Sequence, residues 1–74
     1  MMTWDNAIDA CGDRGMYTME ELGCDSSQTT SCSIDGYYWL ADYDEDYMYY
    51  VQDGVVQWKD RYTDSDFEYD VLCK

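Results

Sequence analysis

"DGYYWLADYDEDYMYYVQDGVVQW", residues 35–58, sets two Asp-Gly pairs around two runs of tyrosine, tryptophan and valine, with three consecutive acids breaking the runs apart. Asp-Gly between β-formers is a strong hairpin signal, because a type I′ turn needs positive φ at both central residues. Each such turn also sets a register. Around Asp53-Gly54, Val51 pairs with Val56 and Tyr49 with Trp58; around Asp35-Gly36, Ile34 pairs with Tyr37 and Cys32 with Trp39. If Asp44-Glu45-Asp46 is a three-residue loop, Tyr43 faces Tyr47, Ala41 faces Tyr49 and Trp39 faces Val51. The three turns agree on one almost wholly apolar face, which predicts strands over 29–34, 37–43, 47–52 and 55–62. The outward face then carries Tyr38, Leu40, Met48, Tyr50 and Val55.

Beyond this block, "DFEYDVLCK" alternates in a way that suits a fifth strand over 66–72, with Glu68 opposite Lys59 and Asp66 opposite Arg61. Ser65 and Glu68 also have the spacing that caps a short helix, so both forms stay open there. Toward the N-terminus, Trp4, Ala7, Ile8 and Cys11 form one helical stripe, predicting a helix over 3–12 capped by Thr3 and ended by Gly12 or Gly15. Thr18 and Glu21 make a capping box, with Tyr17 and Leu22 at the flanking apolar positions, for a short helix over 18–23. The expected fold is α+β: one domain over 1–74, a four- or five-stranded antiparallel β-meander with the N-terminal helix packed on its aromatic face.

Seventeen Asp and Glu against four Lys and Arg give a net charge of −13, which repels nucleic acid and anionic membrane and points to a basic partner. Hydrophobic residues make up 46% of the chain, enough for a core despite that charge. The start, "MMTWDNAIDA", has no basic segment followed by an apolar run, and no stretch reaches the ~20 apolar residues of a membrane span, so the expectation is a cytoplasmic protein. There Cys11, Cys24, Cys32 and Cys73 would be reduced and buried; in an exported protein the even count would allow two disulfides. Zinc is disfavoured by the lack of His and of any CxxC pair, and no cofactor is expected.

Without His, an activated Ser or Cys, or a glycine-rich phosphate loop, there is no basis for catalysis. Counted from Asp42, residues 42–53 place carboxylates at positions 1, 3, 5 and 12 as a calcium loop does, but Tyr47 stands where that loop needs Gly and Asp53 where it needs Glu. The flanks also read as strands.

Polyanion mimicry accounts better for the imbalance. Proteins that bind nucleic acid draw much of their affinity from Lys and Arg that neutralise phosphates, and fixed carboxylates can occupy the same basic sites. Asp42, Asp44, Glu45 and Asp46 supply the candidate cluster, with Asp35 and Asp53 at the other end of the sheet as secondary sites. Tyr38, Met48 and Tyr50 are the candidate contact area if the outward face is open. In size, charge and acid-with-aromatic texture over residues 35–70, the chain resembles the small acidic inhibitors of phages and mobile elements that imitate DNA, such as anti-CRISPR and anti-restriction proteins. The resemblance implies stoichiometric blocking of a basic nucleic-acid-binding protein, a defence nuclease or Cas complex, by a monomer or small homodimer that touches neither nucleic acid nor membrane. Bacteriocin immunity proteins share the texture and imply neutralisation of a toxin nuclease; a general acidic interaction module is a further alternative.

Overall fold

The computed structural model describes residues 1–24, 32 and 34–74. Among these residues there are one helix, α1 (Trp4–Cys11), a 3-10 turn (Gly12–Arg14) and four strands: β1 (Tyr37–Tyr43), β2 (Tyr47–Gln52), β3 (Val55–Asp60) and β4 (Asp70–Val71). The fold is α+β, with a mostly antiparallel sheet in the order β3-β2-β1-β4. Helix α1 begins and ends as its sequence dictates. The Thr3 hydroxyl accepts from the Asn6 amide, and Gly12 closes the other end. The Thr18–Glu21 box also forms, each side chain accepting from the other's amide, but the chain makes a turn there in place of a helix. The expected strand over 29–34 lies outside the described residues except for Cys32 and Ile34, which are not in strand conformation.

β1 and β2 have the expected bounds; β3 stops two residues short. Its end is set by Asp60, whose carboxylate accepts from the amides of Tyr62 and Thr63 and turns the chain away. Between β2 and β3 the register is as expected, Val51 against Val56 and Tyr49 against Trp58, around a turn in which Asp53 and Gly54 both have positive φ. Gly54 has a second reason to be glycine: a Cβ there would lie 2.9 Å from the Cys32 carbonyl oxygen.

The β1–β2 register differs from the expected one. Trp39 pairs with Tyr50 and Tyr38 with Val51, a slip of one, and nearer the turn Tyr43 pairs with Met48. Two features cause this. The Asp44 carboxylate accepts from the amides of both Asp46 and Tyr47, closing a turn one residue longer than the three-residue loop. In addition, β1 takes four steps from Trp39 to Tyr43 while β2 takes two from Tyr50 to Met48, a bulge over residues 40–42. A slip of one exchanges faces. Trp39 therefore shares its face with Met48 and Tyr50, which pack beneath α1 with Trp4, Ala7, Cys11 and Met16. Leu40, Val51 and Val56 form a second core on the opposite face, covered by Met19, Leu22, Cys24, Cys32 and Ile34. The outward face is thus covered over Leu40, Val51 and Val56, and Met48 and Tyr50, 2% and 5% exposed, belong to the helix side.

The expected fifth strand is also corrected. Residues Asp70–Val71 pair with Tyr38 and Trp39, parallel to β1 on the edge away from β3. The chain reaches that edge across the helix-side face, where the Tyr69 ring stacks on Tyr50 at 4.5 Å and meets Trp39 at 4.8 Å. Met2 bridges to Tyr69 and Met16 to Cys73, so the C-terminal strand is held by the N-terminal segment. Lys59 and Arg61 accordingly do not face Glu68 and Asp66: Lys59 lies over the Phe67 ring at 4.3 Å. All four cysteines are paired, Cys11 with Cys73 and Cys24 with Cys32, in place of the reduced thiols expected for a cytoplasmic chain. The first bridge joins α1 to the C-terminal segment and the second fastens the cover of the second core, so both replace apolar area that a short chain lacks.

A candidate acidic interface at the turn end of the sheet

The β1–β2 turn and the end of β3 lie side by side, since Tyr47 pairs with Asp60 and the Arg61 amide donates to the Asp46 carbonyl at 2.9 Å. This brings Asp44, Glu45, Asp46, Asp60 and Asp64 to one end of the molecule. Asp5, in the first turn of α1, joins them across a recess of about 240 Å³ that it shares with Trp4, Met48, Arg61, Tyr62 and Ser65.

Not every expected carboxylate is free to meet a partner. Asp42 is half-buried on the second face, where its Oδ2 accepts from the Met19 amide at 2.8 Å and holds the cover in place. Asp44 is exposed but structural: Oδ1 serves the turn amides, Oδ2 accepts from the Tyr49 hydroxyl at 3.2 Å, and its carbonyl accepts from the Arg61 guanidinium at 2.8 Å. Glu45 and Asp46 project from the tip of the turn, and neither side chain is in a hydrogen bond or ion pair with a described residue. Asp35 and Asp53 sit at the opposite end, Asp53 accepting from the Gly36 amide at 3.0 Å. Of the expected contact residues, Tyr38 is half-buried against the second core, and Met48 and Tyr50 are buried.

Exposed aromatic rings lie elsewhere: Tyr43, Tyr47, Trp58 and Tyr62 stand around the acidic end itself, and Tyr37 and Phe67 are exposed as well. The slip of register explains the exchange for Tyr47, Tyr49 and Trp58, which leave the helix-covered face. Asp60 is the member of the site that the sequence reading lacks, although strand lengths alone place the end of a third meander strand beside the first turn.

Little cationic charge answers these acids. Among the described residues there are two ion pairs, the N-terminal amine with Asp70 at 3.7 Å and Lys74 with Glu21 at 2.7 Å, and neither is at this end. Arg61 is the cation nearest to the turn. Its guanidinium lies over the rings of Tyr43 at 5.1 Å and Trp4 at 5.5 Å, and donates to a backbone carbonyl. Among the described residues no group of three or more His, Cys, Asp and Glu side chains is arranged to hold a metal ion.

No protein-family model, curated protein or solved structure matches the chain. No described helix is long and apolar enough to cross a membrane.

The turn carboxylates respond to acid differently from their neighbours. The Asp46 and Tyr47 amides, in that order of effect, hold the Asp44 carboxyl below its ordinary value, and the Thr63 and Tyr62 amides do the same for Asp60. Lys74, followed by the Thr18 amide, lowers Glu21. A depressed folded-state pKa stabilises the fold above the unfolded value and loses that contribution as pH falls through the folded one. Thermal stability is expected to hold from pH 7 into mildly acidic solution and then fall steeply below the ordinary Asp value of 3.8. A melting series across pH 2.5–7 checks this, and a monotonic fall from neutrality would contradict it.

Proposed function

We propose that the chain is an acidic inhibitor whose turn end enters the phosphate-binding surface of a basic nucleic-acid-binding protein and excludes the nucleic acid. The observation that carries this reading is the gathering of carboxylates from α1, the β1–β2 turn and the end of β3 around a cation spent on rings and a carbonyl. Like charges held together cost stability through their repulsion, and a cationic surface that takes the place of solvent offsets that cost. Glu45 and Asp46 provide charge without a structural duty, and Tyr43, Tyr47 and Tyr62 provide the contact area that turns charge into specificity. The resemblance to small acidic phage inhibitors makes a cytoplasmic defence nuclease or Cas complex the favoured target.

The two disulfides favour a second reading, in which the same end meets a basic toxin or other cationic protein in an oxidising compartment. The test is capture from a nuclease-treated bacterial lysate, followed by measurement on the purified partner. Binding is expected to weaken steeply with salt and to be competed by duplex DNA. The double variant E45Q/D46N should bind at least ~10-fold more weakly, the ~1.4 kcal/mol that corresponds to one decade, with an unchanged circular dichroism spectrum. Normal binding by that variant, or indifference to DNA, would sink the mimicry. Binding that survives with the disulfides reduced points to the cytoplasmic target; binding that is lost points to the second reading.

A further inference from the structure

Where β2 and β3 run beside the acidic turn, Asp44, Tyr47, Tyr49 and Trp58 line an open recess of about 310 Å³. Tyr47, Tyr49 and Trp58 share the second face of the sheet through strand alternation and the Tyr49–Trp58 pair. At that end of the face Tyr47 and Trp58 are 40% and 42% exposed. We infer that this recess is a receptor for an organic ammonium, and that its occupant is a lysine side chain of the basic partner.

Three observations converge on that chemistry. The Tyr49 and Trp58 rings are inclined at 58° with centroids 6.5 Å apart, and a cation over the face of either ring, within ~6 Å of its centroid, is attracted by the ring quadrupole. The Asp44 carboxylate stands at the same recess, fixed in place by its bonds to the Asp46 and Tyr47 amides and the Tyr49 hydroxyl. Its depressed pKa keeps it charged, and burial together with Asp44 itself pushes the Tyr49 hydroxyl up, so that ring stays neutral near pH 7. Finally, this chain already uses rings to hold cations elsewhere, Lys59 over Phe67 and Arg61 over Trp4 and Tyr43. Among the described residues none of its own cations lies over Tyr47, Tyr49 or Trp58, and Glu45 and Asp46 sit on the adjoining turn to draw in a foreign one.

Lysine as the occupant rests on the proposed reading of the acidic end, whereas the recess's selectivity for an ammonium does not. The two are therefore tested separately. The first experiment follows the indole NH resonances during titration with the blocked peptide Ac-Gly-Lys-Gly-NH2 and its neutral norleucine counterpart in 150 mM NaCl. Trp4 and Trp39 donate their indole NH groups to the Leu40 and Met2 carbonyls, which makes them internal controls. The lysine peptide is expected to shift the Trp58 resonance with millimolar affinity, leaving Trp4 and Trp39 in place, and the norleucine peptide to produce no saturable shift. W58L and Y47L, both changes at exposed positions, should each weaken the response of the Tyr49 amide at least fivefold. Equal responses to the two peptides, or an undiminished response in both variants, overturns the inference. In the second experiment, on the captured partner, W58L should weaken binding while retaining competition by DNA. Unchanged binding by W58L overturns lysine as the occupant and leaves the role of Glu45 and Asp46 standing.

Discussion

Replacing Cys11 and Cys73 together by alanine should lower the stability of the fold by about 4 kcal/mol, on the loop-entropy relation for the 62-residue separation that the bridge closes. For a domain of this size that amounts to a fall in Tm of roughly 15–30 °C. The native structure also makes this bridge costly to lose. It joins the last turn of α1 to the segment after β4, and β4 itself contributes only two residues to the sheet. Other ties there are the Met2–Tyr69 and Met16–Cys73 bridges, the amide of Lys74 on the Gly15 carbonyl, the Lys74–Glu21 ion pair and the Tyr69 ring on Tyr50 and Trp39. Cys24–Cys32 closes a separation of only 8, for which the same relation gives about 2.5 kcal/mol. The expected ordering is therefore a large loss for the first pair and a smaller one for the second, read by thermal melts of C11A/C73A and C24A/C32A. Equal effects, or a negligible one for the first pair, would mean that the C-terminal segment holds its place without the bridge.

The second large effect is at Trp39. The side chain is 1% exposed, stacks edge-on against Tyr50 and Tyr69 at 5.7 and 4.8 Å, and donates its indole NH to the Met2 carbonyl at 2.8 Å. Trp39→Ala removes all of these and leaves a cavity beneath α1, for an expected cost of about 3–5 kcal/mol. Trp39→Phe keeps much of the volume but loses the indole bond to the Met2 carbonyl, which still accepts from the Tyr69 amide at 2.9 Å, at an expected ~1 kcal/mol. The informative measurement is a double-mutant cycle. In the observed register Trp39 lies across from Tyr50, so the pair should show a coupling of about 0.5–1.5 kcal/mol, and Trp39 with Val51, on the other face, should show almost none. The reverse pattern would restore the register that a three-residue turn implies.

That contrast marks where the sequence is legible. The Thr3 cap, the bounds of β1 and β2 and the β2–β3 register all depend on local chemistry, and each is read correctly from a few adjacent residues, as is the stripe of α1 except for Ile8, which is 40% exposed. The phase of β1 against β2 is different. "YYWLA" and "YMYYV" are nearly continuous apolar runs, and a strand buried on both faces has no polar alternation to show which residue points which way. Trp39 and Leu40, neighbours in the chain, are both fully buried, one in each core. The deciding residue is Asp44, whose carboxylate lengthens the turn by one residue, a choice that an acidic triplet does not announce. β4 was misplaced because its partners, Tyr38 and Trp39, are some thirty residues away and the ring of Tyr69 chooses them. At the site, Glu45 and Asp46 were legible as free charge at a turn, whereas the duties of Asp42 and Asp44 depend on Met19 and Tyr49 being brought alongside by the fold.

The Cys11–Cys73 bridge encloses most of the polypeptide in a covalent ring. The exposed bend at Tyr62 and Thr63 lies inside that ring, so a protease that cuts it opens the loop without releasing a fragment. The severed molecule keeps its C-terminal piece moored to α1, and degradation has to wait for a further cleavage or for reduction of the tether.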